Sequence, residues 1–377
     1  MEHFDVIIVG AGLSGIGAAC HLQKRCPGKS YAILEGREAM GGTWDLFRYP
    51  GIRSDSDMYT LGYNFKPWLG EKSIADGESI RSYIEETARE NGIDEHIRYG
   101  HKVVSADWST VDAHWTLTLA NGGRMTANWV MMCSGYYRYD TGHAPEFPGM
   151  ARFKGQVVHP QFWPDELDYA GKRVVVIGSG ATAMTLVPAM AQTAAHVTML
   201  QRSPTYVASV PSTDPFAGRV RKLLPASLAY RAVRLKNVLV SMTLFWLVRR
   251  NPAAAKKRLM GLVRDSLGPA YDVDTHFAPR YDVWDQRVCA VPDSDLFEAI
   301  KTHKVSVVTD TIDTWSEGGI HLASGESLEA DIIVTATGIE MQLLGGAELS
   351  VDGTKVAMPE TMIYKGMMIG GVPNLSY

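Results

Sequence analysis

The 377-residue sequence predicts an α/β chain of two three-layer domains, the second inserted into the first and carrying a helical insertion of its own. Three observations predict this. A short apolar strand, a glycine-rich turn and a small-residue helix open the chain, the same pattern returns near residue 173, and a long basic stretch with helical apolar spacing follows the second copy. Hydrophobic content of 46% and charged content of 21% fit a packed globular chain, long enough for two domains.

The opening stretch "DVIIVGAGLSGIGAA" places Gly10, Gly12 and Gly15 in GxGxxG spacing between a strand and a helix. The first glycine makes the turn, and the second lets backbone approach a pyrophosphate. The third permits close helix–strand packing, with the phosphates at the helix N-terminus. Glu35 ends the next strand, "YAILE", where a carboxylate accepts hydrogen bonds from a ribose. A glycine turn with no ligand is the competing reading, and the placement of Glu35 weighs against it.

The stretch "KRVVVIGSGATAMTLVPAM" repeats the pattern as GxGxxA with Gly178, Gly180 and Ala183. Its following strand, "HVTMLQR", ends in Gln201 and Arg202 instead of an acid. Loss of the carboxylate together with a guanidinium suits a 2′-phosphate, so NADP(H) is expected there; a plain surface charge is the alternative for Arg202. Both domains are therefore expected to be Rossmann-like, with FAD on the first site and NADP(H) on the second. "VMMCSGYY" and "ADIIVTATG" read as the outward and returning crossings. The expected FAD-binding domain is 1–145 with 336–377, the NADP-binding domain 146–213 with 283–335, and the helical insertion 214–282.

The chemistry that excludes itself first is thiol–disulfide exchange. Cys20, Cys26, Cys133 and Cys289 form no CxxC pair, and they have neither disulfide nor metal spacing, so no metal is expected. Disulfide reductases place their first thiol just after a Gly-Gly-Thr stretch, and here Trp44 follows Gly41, Gly42 and Thr43. The chain opens straight into a strand without a leader pattern, and no apolar run reaches the ~18 residues of a membrane span. A cytoplasmic protein is expected.

Two longer motifs carry more information than either glycine turn. "GGTWDLFRYPGIRSD" (41–55) and "FKGQVVHPQFWP" (153–164) resemble signatures of the type I Baeyer–Villiger flavin monooxygenases. The second motif reads FxGxxxHxxxWP in that family and is met by Phe153, Gly155, His159, Trp163 and Pro164. In the related N- and S-oxygenating flavin enzymes the Trp position is usually Tyr, so the WP ending favours the Baeyer–Villiger branch. "RYPGIRSDSDMYTLGY" and "MLQRSPTY" resemble the ethionamide-activating subgroup most.

The resemblance implies that NADPH reduces FAD and that O2 forms a C4a-peroxyflavin, which attacks a small apolar ketone or aldehyde to give an ester or lactone. Oxidation of sulfur substrates by the same flavin, as in a flavin-containing N- or S-oxygenase, stays open. So does a non-catalytic nucleotide-binding remnant. The resemblance places the catalytic cation at Arg287 and its carboxylate partner at Asp55; unrelated surface charges are the alternative. Gly42, Trp44 and Asp55 fall in the cofactor-lining motif. Gln286 stands where the family often has a lysine for the NADP phosphate, which leaves Arg202 with more of that task. The FxGxxxHxxxWP stretch is expected to link the domains, with His159 gating rather than transferring protons and Phe153 and Trp163 in the core. Members of the family continue for roughly a hundred further residues that complete the flavin pocket, and that segment is expected to matter for FAD retention.

Between Phe216 and Ala270 stand twelve Lys or Arg and one acid, Asp265. Against a net charge of -4 for the whole chain, the rest is strongly acidic. This segment reads as a basic amphipathic set of helices that forms a lid on the second domain, a peripheral contact with an anionic membrane, or both. No nucleic-acid motif accompanies the charge, so nucleic acid is not an expected partner.

Overall fold

A computed structural model describes residues 1–377 and divides the chain into two compact units. The first comprises Met1–Leu46, Glu78–Gly142 and Ile339–Tyr377, and the second Phe47–Gly77 with His143–Gly338.

The first unit is built on a nine-stranded mixed sheet. Its centre is the strand Glu2–Val9, parallel to Tyr31–Leu34 on one side and to Arg124–Met132 on the other. Both of these pairings need a crossover, and the helix Leu13–Arg25 supplies the first. Strands covered on both faces read as unbroken apolar runs, and Tyr31–Leu34 is buried at all four positions. The strands 103–109, 114–119 and 124–132 instead run antiparallel to one another, and the first two alternate burial, as expected with one face packed and one wet. Trp108 and Trp115 close this core at a ring separation of 5.7 Å. The last strand, Leu375–Ser376, pairs in parallel with Val130 and Met131.

The second unit holds an all-parallel five-stranded sheet in the order 305–309, 196–201, 173–177, 332–335, 156–158. Ala181–Met190 crosses from the central strand Arg173–Ile177 to His196–Gln201. A smaller parallel pair, Tyr206–Val210 with Val288–Pro292, and an antiparallel three-stranded sheet complete the β-structure. Four helices, Pro215–Leu223, Ala226–Arg250, Pro252–Leu267 and the short Val273–Phe277, form the insertion.

Two elements differ from the sequence reading. Residues 47–77, assigned with the first domain, group with the second unit. Gly51 explains why: a Cβ there would meet Ala189 Cβ and the Thr185 carbonyl oxygen at 2.6 Å, so this loop lies directly on the Ala181–Met190 helix. The connector 153–164 is also more than a linker, because Gln156–Val158 is the edge strand of the parallel sheet, paired with Ile332–Val334. Gly155 lets it in, since a Cβ at that position would fall 2.3 Å from the Asp331 carbonyl oxygen. Phe153 packs edge-on against Trp315 at 5.8 Å and is half-buried, as is Trp163 against Tyr169 at 6.4 Å.

Candidate functional site

The first glycine turn is shaped by backbone contact. Gly10 has φ +105°, and a Cβ there would stand 2.5 Å from the Cys133 carbonyl oxygen. At Gly15 a Cβ would meet the Gly10 carbonyl oxygen at 1.9 Å, so the helix can approach the strand only without one. Gly12 caps the helix with no side chain in the way. Gly42, at φ +58°, comes down on it, where a Cβ would contact Gly12 Cα at 3.1 Å. The result is a bare backbone cradle at a helix N-terminus, which fits a dinucleotide pyrophosphate.

Glu35 stands beside this turn, buried, and accepts the Ala11 amide on Oε2 at 2.8 Å and the Arg37 amide on Oε1 at 3.0 Å. A carboxylate has about four acceptor sites, so two remain for ribose hydroxyls. Sequence reasoning missed Asp45, which is buried immediately after Trp44. Its carboxylate is held by Arg37 at 2.7 Å and Arg81 at 3.5 Å, which orders the short helix Thr43–Leu46 carrying Trp44. An acid inside the tryptophan motif was the signal available.

The second turn repeats the design more openly. Gly178 has φ +133° and would place a Cβ 2.3 Å from the Ala336 carbonyl oxygen, whereas a Cβ on Gly180 meets nothing within 4 Å. Ala183, fully buried, fills the place of the third glycine. At the strand end Gln201 is buried, with Nε2 donating to the His276 carbonyl at 2.7 Å and to Thr309 Oγ1 at 2.9 Å. Arg202 next to it is exposed and makes no ion pair. This open turn with an adjacent uncommitted cation fits a phosphorylated dinucleotide.

Arg287 and Asp55 are both exposed and belong to the same unit, but the structure does not pair them. They share a neighbourhood: both act electrostatically on the buried Cys289, whose thiol is pushed up to about 11 chiefly by burial. The nearby arginine that is tied down is Arg53, 2.5 Å from Asp295, with a second contact to the Met184 carbonyl at 3.4 Å. Gln286 is exposed and bridges to Val283. His159 Nδ1 accepts the Gln161 amide at 3.2 Å and caps the 160–162 turn, while burial holds its ring below the ordinary histidine range against the backbone of Gly338 and His143. Burial also raises the Cys133 thiol to about 11, which makes it a poor redox thiolate.

Comparison with known proteins bears directly on these arrangements. A family profile described as flavin-binding monooxygenase-like matches residues 72–253, and an NAD(P)-binding Rossmann-like domain profile matches residues 8–66. The FAD-containing monooxygenase EthA of Mycolicibacterium smegmatis is 56% identical over 379 residues, covering 100% of this chain and 77% of that protein. EthA of Mycobacterium tuberculosis is 55% identical over 380 residues, with 100% and 78% covered. The chain belongs to the EthA-type FAD-containing monooxygenases. It is a flavoprotein oxidoreductase of the monooxygenase class. Among solved structures, an open cyclohexanone monooxygenase superposes with a TM-score of 0.82 at 20% identity, covering 100% of this chain and 82% of the other. An oxidised steroid monooxygenase bound to NADP superposes at 0.77 and 23% identity, covering 92% of this chain and 73% of the other. These likenesses establish the α/β fold with two dinucleotide-type domains.

Proposed function

We propose that this flavoprotein binds FAD at the Gly10–Gly15 turn and NADPH at the Gly178–Ala183 turn, and that it inserts one oxygen atom of O2 into a small apolar carbonyl compound to give an ester or lactone. The observation that carries the assignment is the contrast at the two strand ends. Glu35 is a buried carboxylate fixed by two amides, suited to ribose hydroxyls, while Arg202 is an uncommitted cation suited to a 2′-phosphate. The bound flavin, reduced by NADPH, supplies activated oxygen.

The chain's own residues then have defined tasks. The uncapped helix N-termini after Gly12 and Gly180 receive the pyrophosphates. Arg287 offers a cation to the anionic oxygen that develops on the carbonyl, and Asp55, in the same electrostatic neighbourhood, moderates its charge. Arg202 carries the 2′-phosphate because Gln286 brings no charge to it. Sulfur oxidation by the same site is a second reading, drawn from the resemblance of residues 48–63 and 199–206 to the ethionamide-activating subgroup.

The test is an anaerobic titration of the FAD-loaded chain with NADPH, followed by oxygen and either a ketone or a sulfide, with products read by mass. Ester carrying one atom of labelled O2 supports the first reading and sulfoxide the second. Flavin that NADPH does not reduce sinks both. Arg202→Ala is expected to raise KM for NADPH at least tenfold while leaving KM for NADH nearly unchanged, and Arg287→Ala to remove ester formation while flavin reduction persists.

A further inference from the structure

The sequence reading took the insertion as amphipathic, and the structure bears that out only in its first half. There Ala229 and Val233 are buried, and three of the cations are committed: Arg234 donates to the Tyr59 carbonyl at 2.9 Å, Arg221 to the Trp68 carbonyl at 2.7 Å, and Lys236 pairs with Asp214 at 2.5 Å. The second half of the Ala226–Arg250 helix is different. Every residue from Val238 to Leu247 is exposed, including Met242 at 65%, Phe245 at 52% and Trp246 at 56%. Ten successive residues cover nearly three helical turns, so apolar side chains face outward in all directions.

We propose that this projecting end of the helix inserts into the interfacial layer of an anionic lipid bilayer. A protein groove would dry one stripe of a helix, about 100° wide, and leave the rest wet. A medium that surrounds the helix dries all of it. No charged residue lies between Lys236 and Arg249, and cations follow at once: Arg249, Arg250, Lys257 and Arg258. Arg250 lies over the Trp246 ring at 5.2 Å, and Lys257 and Arg258 are exposed without ion pairs. An aromatic pair followed by a basic collar is the arrangement that sits at a headgroup layer. The eleven residues from Val238 to Val248 extend about 16 Å, too short for a hydrocarbon core of about 30 Å, and no helix of the chain is long and apolar enough to cross a membrane. The helix therefore dips into the surface and does not span it.

The same helix end touches the loop bearing Arg287. Phe245 packs edge-on to Trp284 at 6.2 Å, and Arg249 pairs with Asp285 at 2.8 Å. Lipid contact thus falls a few residues from the proposed catalytic cation, which places an apolar substrate dissolved in the bilayer close to the site. Lipid binding itself is read without turnover, so its outcome is separate from that of the oxygenation chemistry.

The experiment is flotation of the full chain with vesicles of equal parts phosphatidylglycerol and phosphatidylcholine, against pure phosphatidylcholine, at low and high salt. The chain should float with the anionic vesicles at low salt and be released by salt. Phe245→Ser with Trp246→Ser, which leaves the charge unchanged, should weaken binding about tenfold or more. Arg250→Glu with Lys257→Glu and Arg258→Glu should weaken it about a hundredfold or more. Both variants change exposed positions, and unchanged circular dichroism and melting will show that they fold. Three results would overturn the idea. One is failure to float with anionic vesicles at low salt, and another is equal flotation of the serine variant. The third is a lipid-free dimer that the serine variant converts to monomer without any lipid binding, which would give the surface to a second copy of the chain.

Discussion

Arg53 and Asp295 meet at 2.5 Å across 242 residues of sequence, joining the loop that carries Asp55 to the first turn of the helix Asp295–Lys301. Their side chains are only 15% and 31% exposed, so the pair is partly withdrawn from water. It holds the loop 47–55 against the rest of the second unit.

Asp295→Ala should leave the Arg53 guanidinium half-buried without its partner. A loss of about 1–3 kcal/mol in urea unfolding is expected, together with faster proteolysis within 47–55. If neither changes, the pair does not anchor the loop.

Two glycine substitutions should separate folding from binding. Gly155→Ala drives a Cβ to within 2.3 Å of the Asp331 carbonyl oxygen and should detach the edge strand, at a cost of about 2 kcal/mol or more. Gly180→Ala meets nothing within 4 Å, so it should fold normally yet weaken NADPH binding, because the methyl occupies the phosphate's approach. Melting curves beside nucleotide titrations distinguish the two.

Glu35→Gln removes one acceptor from a carboxylate that now takes two backbone amides, at 2.8 and 3.0 Å. Its amide nitrogen would confront one of those N–H groups. The variant should lose about 1–3 kcal/mol of stability and release FAD more readily, read as flavin absorbance retained after gel filtration.

His159 and His276 both titrate below the ordinary histidine value, in each case chiefly through burial. A folded-state pKa lower than the unfolded value of about 6.5 means that the unfolded chain binds more protons as the pH drops. Their contribution is therefore fully present above that value and declines as the pH falls below it toward the folded pKa values. Urea midpoints should fall between pH 7.5 and pH 5.5, and His159→Asn should flatten that slope. A slope identical in the variant would assign the effect to other groups.

Much of the site was legible because its determinants are local. Each glycine between strand and helix has a local requirement, a positive φ at Gly10 and Gly178 and the Gly10 carbonyl oxygen beside Gly15, which is why the three could be placed from spacing. Glu35 follows from the length of one βαβ unit. Asp45 escaped notice because no sequence spacing marks its pairing with Arg37 across the turn before it, and Arg81 comes from a helix much further along the chain. Gly155 was read as part of a linker because its reason, the Asp331 carbonyl, lies far along the chain.

The amino-acid order by itself determined the α/β class, the two dinucleotide turns and the unequal strand ends, since each is specified by side-chain pattern and backbone chirality over short range. Only the tertiary structure decided that residues 47–77 belong with the second unit, that Arg53 is paired while Arg287 is not, and that ten successive residues of the Ala226–Arg250 helix are exposed. The physical reason is common to all three. Which surfaces a segment buries depends on what the remaining chain brings to it, and a helical apolar pattern looks the same on paper whether its side chains meet a core or project from the fold.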